Sequence, residues 1–171
     1  NLNATAAAST ITDALDAVLT VGGTTTLETE GNEATITLDT TTNTFTGAVT
    51  ITTNDNSGAD AHVTISAGSG AALDFSTSTI DGNLIVTSGF VPVDSNSNGT
   101  ISETESNGIT DSGTLTVGGT SSFQTSGLGA NIYLDNVPNR DTAQAGANTT
   151  ITLADGASTK DDFYNTMTVY I

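Results

Sequence analysis

The chain has 171 residues, which suits one ordinary domain or one section of a longer repeat array. It carries 19 acidic and 2 basic residues, a net charge of −17; because such a surface repels phosphate, we expect no nucleic-acid partner and no binding to anionic membranes. Cysteine is absent and His62 is the one histidine, which excludes disulfides, a cysteine nucleophile and a zinc site built on several histidines. No apolar stretch reaches the roughly 18 residues of a membrane span, so we expect no membrane insertion.

Residues 1–18 allow two interpretations. Apolar residues at Ile11, Leu15 and Val18 could form one side of a short helix that caps the fold, with Ser9 or Thr10 as its N-cap. The tripeptide Ile-Thr-Asp that begins at Ile11 recurs later in the chain beside predicted strands, which favours the edge of a β coil instead. We therefore expect residues 1–18 to be an N-terminal edge or a short cap.

Short runs in which apolar residues alternate with polar ones follow along the chain. Alternation with a period of two predicts strands that have one buried and one solvated face. Threonine, with 36 residues, is β-branched and favours strands, and the runs are bounded by the turn residues Gly, Asn, Asp and Ser. This pattern predicts an all-β protein, most simply a β-solenoid, with a β-sandwich as the alternative. The clearest runs are 18–21, 35–38, 49–52, 63–65, 84–86 and 150–153.

The sequence also repeats itself. Residues 19–24 read Leu-Thr-Val-Gly-Gly-Thr, and the same six residues occur at 115–120. The offset of 96 then holds downstream, where Leu27 matches Phe123 and Ile36 matches Ile132. We infer a unit of about 96 residues, with one full copy and part of the next, and we predict a solenoid over 19–136.

Three segments resemble repeats of very large secreted bacterial adhesins of the filamentous-haemagglutinin type. They are ITDSGTLTVGGTSSFQTSGLGANIYLD, TNTFTGAVTITT and STIDGNLIVTSG, and the resemblance covers roughly residues 11–136. It implies a right-handed parallel β-helix on a long exported polypeptide, located outside the cell or at its surface.

One loop carries a motif that predicts metal binding. Residues 94–105 match the calcium-loop pattern D-x-[DN]-x-[DN]-G-x5-E, and Ca²⁺ binds six to eight hard oxygens. Gly99 permits the sharp turn, and Ile101 is expected to be the apolar anchor. The predicted oxygen ligands of Ca²⁺ are Asp94, Asn96, Asn98, Thr100, Ser102 and Glu105.

The surroundings of this loop differ from those of a true EF-hand. Residues 91–93 read Val-Pro-Val and Gly108 follows closely, so flanking helices are not expected. The loop is more similar to the calcium loops of dockerin-like extracellular modules, and we treat 91–108 as an insertion into the solenoid. A second acidic pair, Asp55 and Asp60, fits either another calcium site or ordinary turn chemistry.

Residues 137–171 look different from the repeat. The segment TTITLADGASTKDDFYNTMTVYI resembles a β-rich module of phage tail and other bacterial surface proteins. We expect a C-terminal β module that is truncated or that donates a strand to a partner.

These features together predict a structural function. We expect an extracellular adhesin or fibre segment rigidified by Ca²⁺, with no enzymatic activity, since Arg140, Lys160 and His62 are scattered and tryptophan is absent. The expected partners are neighbouring copies or further repeats of the same polypeptide, or a cell-surface or glycan ligand. Alternatives are a filament subunit that assembles by strand pairing, a phage tail-fibre segment, and an ice-binding solenoid that uses Thr-x-Thr rows.

Overall fold

The structure is a computed structural model that describes residues 1–54 and 60–134, together with the backbone of two short strands at 145–147 and 150–152. The chain divides into a first unit, Asn1–Asn136, and a second unit, Val137–Ile171. In the second unit, Ala145–Ala147 pairs antiparallel with Thr150–Thr152. The expectation of a truncated or strand-donating module at 137–171 otherwise lies outside the described residues.

The described residues of the first unit form fifteen short strands, β1 to β15. All of their pairings are parallel, which rules out the alternative of an antiparallel β-sandwich for this unit. In chain order they are Leu2–Ala6, Ile11–Thr12, Thr20–Val21, Thr25–Thr29, Ile36–Leu38, Thr44–Phe45, Val49–Thr53, Val63–Ala67, Leu73–Phe75, Ser78–Ile80, Leu84–Ser88, Asn107–Asp111, Leu115–Val117, Ser121–Thr125 and Asn131–Tyr133.

Every third strand lies in the same stack, so three strands make one turn of a solenoid. The first face stacks β1, β4, β7, β10 and β13, and the second stacks β2, β5, β8, β11 and β14. The third contains the pair β3–β6 and the series β9–β12–β15. A single bridge between Val49 and Phe75 links the first and third faces into one eight-stranded sheet. The prediction of an all-β solenoid is therefore confirmed, with five turns.

Alternate residues of the strands point into the solenoid and fill its core. On β4, β7 and β11 the buried and less buried positions alternate, as the sequence pattern predicts. Parallel register stacks equivalent residues directly above one another, so Leu38 lies on Ile65 and Ile65 lies on Val86. Each is at most 3% exposed, and burial of such side chains contributes roughly 1.5–3 kcal/mol apiece.

The first 18 residues contain two strands, β1 and β2, and no helix. β1 and β2 pair with β4 and β5 of the next turn, through Leu2↔Thr25 and Ile11↔Ile36. The cap interpretation is therefore wrong in its helical form, because the Ile11 segment gains ladder hydrogen bonds that an isolated short helix could not replace. Within the described residues, no helix is long and apolar enough to cross a membrane.

The sequence repeat and the solenoid turn have different periods. β4 lies on the first face, whereas its repeat counterpart β14, 96 residues later, lies on the second. β3 and β13 are likewise on the third and first faces. One repeat therefore contains ten strands, or three turns and one further strand, and the next copy begins one face further round.

Candidate calcium-binding loop

The candidate loop is a long connection between two faces of the fourth turn. It occupies residues 89–106, between β11 and β12. In the first copy of the repeat the equivalent connection, between β1 and β2, has only the four residues 7–10. The equivalence is visible in packing, because Gly31 lies against Ala8 and its repeat counterpart Gly127 lies against Phe90. The loop is thus an expanded version of a short corner.

The first half of the loop is organised around the Asp94 carboxylate. Asp94 Oδ1 accepts a hydrogen bond from the Asn98 backbone N–H at 3.1 Å, and Oδ2 accepts one from the Gly99 N–H at 2.7 Å. Ser97 and Gly99 both have positive φ, 57° and 84°. Glycine is the residue that tolerates this backbone best, so the predicted role of Gly99 in the turn agrees with the structure.

The Glu105 carboxylate joins the two ends of the loop. Its Oε1 accepts hydrogen bonds from the Ser95 hydroxyl at 2.6 Å and the Ser95 N–H at 2.9 Å, with a longer one from the Asn96 N–H. Its Oε2 accepts from the Ser102 N–H and hydroxyl at 2.9 and 2.8 Å. These donors, the Ser95 hydroxyl first, lower the pKa of Glu105 to about 2.

The structure places all six predicted ligand residues on one surface loop. Asn96 Oδ1 accepts from the Asn98 N–H, and Asn98 Oδ1 accepts from the Thr100 N–H and hydroxyl. Ser102 contacts Glu105, as described above. The side chains of Asn96, Asn98, Thr100 and Ser102 are exposed. Both halves of the loop are held together by hydrogen bonds between residues of the loop itself.

One expectation for this loop is wrong. Ile101, predicted as an apolar anchor, has 53% of its surface exposed. The described residues on either side of the loop form strands β11 and β12 and no helix, so no partner element covers an anchor at this position. The loop carries the ligand pattern without the hydrophobic support of an EF-hand pair.

Two contacts were not expected from the motif. Ser95 donates to Glu105 from a position that the pattern leaves unspecified. Ser106, 8% exposed, fixes the loop to the next turn, because its Oγ and carbonyl oxygen accept hydrogen bonds from the side chain and backbone of Asn131 at 2.8 and 2.7 Å. In the sequence, the only indication of these two contacts is the serine that lies next to each of the loop carboxylates, Asp94 and Glu105.

The donor set of the loop is chemically suited to a hard cation. It consists of two carboxylates, two side-chain amide oxygens, a hydroxyl and a backbone carbonyl, and oxygen donors of this kind are what Ca²⁺ takes. The described residues contain no group of three or more His, Cys, Asp or Glu side chains placed to hold a metal. Calcium at this loop would depend on neutral oxygens for all but two of its ligands.

The other candidate sites are less developed. Asp55 lies outside the described residues, so the proposed pair with Asp60 stays a prediction. His62 is exposed immediately before β8, and its Nδ1 accepts a hydrogen bond from the Asn83 N–H at 2.9 Å. A depression of about 370 Å³ lies at the corner formed by Leu15, Asp16 and residues 39–42, and neither an aromatic nor a basic side chain lines it. Stacking platforms for a sugar are therefore missing from this depression.

Outward threonines form short rows across the turns. Thr12, Thr37 and Thr64 are aligned on the second face, and the row ends at Ile85. On the first face, Glu28 interrupts the row below Thr52. The threonine rows are thus three residues long at most in these positions and do not form an extended flat lattice.

Comparison with known proteins gives one family. A family model described as repeats of unknown function (DUF5649) matches residues 1–52 and 90–148, and the two matched segments contain the two occurrences of Leu-Thr-Val-Gly-Gly-Thr, at 19–24 and 115–120. No curated protein and no solved structure matches the chain.

Proposed function

We propose that this chain is a rigid structural segment of an extracellular adhesin or fibre. The chain belongs to the family of repeats of unknown function (DUF5649). The observation that carries the proposal is the parallel ladder that continues through five turns around one filled core. In such a solenoid each turn contacts only its neighbours, so added turns extend the molecule by about 4.8 Å each without a new fold.

The surface supports a role in display. Charged residues make up 12% of the chain and only two are basic, so the outward positions are mostly threonine, serine and asparagine. A neutral and acidic surface of this kind stays hydrated and does not adsorb to anionic cell envelopes or nucleic acids. The resemblance to secreted adhesin repeats supports an extracellular location, and the proposal assigns the chain no enzymatic activity.

Mechanical loading of the 171-residue chain between handles at its two ends tests the structural role. A rigid segment is expected to unfold cooperatively in the first unit, because its ladders share one core. Unravelling turn by turn at low force would contradict the proposal. Binding of the chain to a glycan array tests the adhesive part separately.

We further propose that the loop at 94–105 binds Ca²⁺ and that the ion stiffens this part of the segment. Asp94, Asn96, Asn98 and Glu105 would supply side-chain oxygens, Thr100 its carbonyl, and Ser102 a direct or water-mediated contact. With two carboxylates among the ligands, the expected affinity is at the weak extracellular end, about 10⁻⁴–10⁻³ M. The ion would neutralise charge in a strongly acidic chain.

Thermal unfolding followed by circular dichroism tests the calcium site. At about 10 mM CaCl₂, such an affinity stabilises the folded state by roughly 1.5–3 kcal/mol, and the expected rise in Tm is about 3–10 °C over the chain in EGTA. The double variant Asp94→Ala/Glu105→Ala should lose the rise. Glu103→Ala, which removes an acid of the same loop outside the ligand set, should keep it. An equal response of both variants, or none in the wild type, would reduce the loop to a polar turn.

The remaining alternatives stay predictions. Thermal hysteresis tests ice binding, which the short threonine rows do not favour. Trimerisation in solution tests a phage tail-fibre role.

A further inference from the structure

The sequence contains two Asn-Gly dipeptides, Asn98-Gly99 and Asn107-Gly108. In such a dipeptide the backbone nitrogen of the glycine can attack the side-chain carbonyl carbon of the asparagine, because glycine has no side chain to obstruct the approach. The first dipeptide lies in the exposed loop between β11 and β12, and the second lies in β12 itself. The same chemistry can therefore be compared in two surroundings of one chain.

The backbone nitrogen of Gly99 lies against a base. Its N–H donates to Asp94 Oδ2 at 2.7 Å, within the reach of about 2.6–3.2 Å at which a general base takes a proton. A peptide nitrogen becomes a nucleophile as it loses its proton, so this carboxylate is placed to activate it. A Cβ built on Gly99 would have no neighbour within 4 Å, so the surroundings of this nitrogen are open to water.

The side-chain carbonyl of Asn98 is held by two donors. The Thr100 N–H and the Thr100 hydroxyl donate to Asn98 Oδ1 at 2.9 and 2.7 Å. A bond from an asparagine oxygen to the N–H two residues on is an Asx turn, which folds the side chain over the intervening peptide group. Negative charge develops on Oδ1 when Cγ is attacked, and donors already aimed at such an oxygen stabilise that charge. The loop thus places a base on the nucleophile and two donors on the electrophile.

The second dipeptide lacks this arrangement. Asn107 Oδ1 is buried and accepts no hydrogen bond from the part of the chain that the structure describes. Gly108 is buried in β12, where a Cβ would lie 3.2 Å from the side chain of Ala130 and 3.3 Å from that of Thr125. Pairing of β12 with β9 and β15 holds the backbone extended. Asn107 is therefore the internal control for Asn98.

We propose that Asn98-Gly99 is a self-modification site, at which the folded loop converts the Asn98 amide into an acid. Asp94 takes the proton of the Gly99 N–H, the nitrogen forms a bond to Asn98 Cγ, and the Cγ–Nδ2 bond breaks. The leaving amide nitrogen takes the proton from Asp94 and departs as ammonia, which leaves a succinimide ring. Water then opens the ring at one of its two carbonyl groups and gives aspartate or isoaspartate. One water enters, one ammonia leaves, and Asp94 is unchanged.

The consequence for calcium rests on the proposed function of this loop. Asn98 is one of the neutral ligands in the proposed site, and its conversion to aspartate gives three carboxylates instead of two. The charge of the ligands is one of the features that tune calcium affinity, so the aspartate form should bind Ca²⁺ more tightly. The isoaspartate form has a longer main chain and should lose the geometry of the loop.

Peptide mapping by mass spectrometry tests the modification in the full chain, incubated at neutral pH in EGTA so that Ca²⁺ plays no part. The mass gain from amide to acid is followed at Asn98 and at Asn107, in the folded chain and in the chain unfolded by urea. Asn98 should react faster in the folded chain than in urea, because only the folded loop supplies the base and the donors. Asn107 should react more slowly in the folded chain than in urea.

Variants separate the two catalytic groups, with circular dichroism to verify folding. Asp94→Asn keeps the size of the side chain and removes the base, so the reaction at Asn98 should slow by at least about tenfold. Thr100→Val keeps the N–H donor and removes the hydroxyl, so a smaller but measurable slowing is expected. Glu103→Gln, which removes an acid of the same loop that has no part in the proposed reaction, should react at the wild-type rate.

Two results would overturn the proposal. They are a folded wild-type chain that converts Asn98 no faster than the unfolded chain, and a folded Asp94→Asn variant that reacts at the wild-type rate. The first comparison needs no variant, so it decides the question even if a variant fails to fold.

The effect on calcium is measured separately, with Asn98→Asp as the aspartate form. Its Tm should rise at lower CaCl₂ concentrations than that of the wild type, and a response at equal concentrations would contradict the expected gain in affinity. If neither chain responds to Ca²⁺, the calcium function fails while the mass measurements in EGTA still decide the modification.

Discussion

Glu105 is the residue on which the candidate loop depends. Five hydrogen bonds from Ser95, Asn96 and Ser102 converge on its two oxygens. Donors to a carboxylate favour its charged form, which is why its pKa falls from 4.5 to about 2. A folded-state pKa below the unfolded value means that this carboxylate stabilises the loop above about pH 4.5, and that the effect is lost as the pH falls toward 2.

The Ser95 hydroxyl should make the largest single contribution to this shift. In Ser95→Ala the pKa of Glu105 is expected to rise toward 4.5, because its shortest hydrogen bond is removed. A carbon-detected NMR titration of the Glu105 carboxyl group in the calcium-free chain measures it. Ser97→Ala, in which a neighbouring hydroxyl is removed without a contact to Glu105, should leave the titration unchanged; a shift of equal size there would contradict this assignment.

Asn43 is a second residue with a central position. It is fully buried, its Oδ1 accepts the Leu19 N–H at 2.8 Å, and its Nδ2 donates to Asp13 Oδ2 at 2.9 Å. Burial alone raises the pKa of Asp13, but the hydrogen bonds from Asn43 and Thr40 outweigh it and lower the pKa overall. The Asn43 carbonyl also accepts the Gly68 N–H, so this residue joins three successive turns.

Asn43→Ala is therefore expected to lower the free energy of unfolding by about 2–4 kcal/mol. The variant leaves a backbone N–H and a carboxylate without their buried partner, and each such loss costs roughly 1–3 kcal/mol. Urea denaturation measures the change. Asn32→Ala, at an exposed turn position, is the matched control and should change stability by less than about 0.5 kcal/mol.

At the residue scale, the sequence predicted the types of oxygen in the loop but not their hydrogen-bond partners. The motif constrains Asp94, Gly99 and Glu105, and the structure gives each a local function. It does not constrain Ser95, and it wrongly suggested that Ile101 is buried. That error has a physical reason, since an anchor requires a covering element that only the tertiary structure can supply.

At the element scale, alternation between apolar and polar residues located some of the five-residue strands and missed others, since β1, β4, β12 and β14 lie outside the predicted runs. β7 and β8 correspond to runs that the pattern predicted. β2 and β6 have two residues each, which is too short to show a period of two. Because these short strands complete the turns, the three faces could not be assigned from the sequence.

The loop itself should be dispensable for the fold. Replacement of residues 89–106 by Ala-Ala-Ser-Thr, the sequence of 7–10 that joins β1 to β2, should preserve the β signature in circular dichroism. Loop shortening should stabilise by about 1 kcal/mol through lower closure entropy, which the lost contacts between Ser106 and Asn131 partly offset. The calcium response of Tm should disappear.

Replacement by four glycines is the control for this exchange. Glycine loses more backbone conformational freedom on folding than alanine, serine or threonine, so the glycine variant should be the less stable of the two. An unfolded Ala-Ala-Ser-Thr chimera would show that the long loop supports β11 and β12 and is not an insertion.

At the scale of the whole molecule, charge opposes folding. With 19 acidic and 2 basic residues, the compact state suffers self-repulsion that salt screens. An increase from about 0.02 to about 0.5 M NaCl should therefore raise Tm at protein concentrations low enough to keep the chain monomeric. A chain in which four exposed acids, Asp16, Glu30, Glu33 and Asp39, are replaced by their amides should respond less; an equal response would assign the effect to something other than charge.

The mismatch between ten strands per repeat and three per turn has a consequence for how such a gene can change. Gain of one 96-residue unit by unequal recombination lengthens the solenoid. It also moves each downstream strand to the next face, which is a rotation by one third of a turn. Three units restore the original facing after ten full turns. The number of repeat units therefore determines the direction in which the downstream faces point as well as the length of the solenoid. A long loop can project from a different side without any substitution in its own residues.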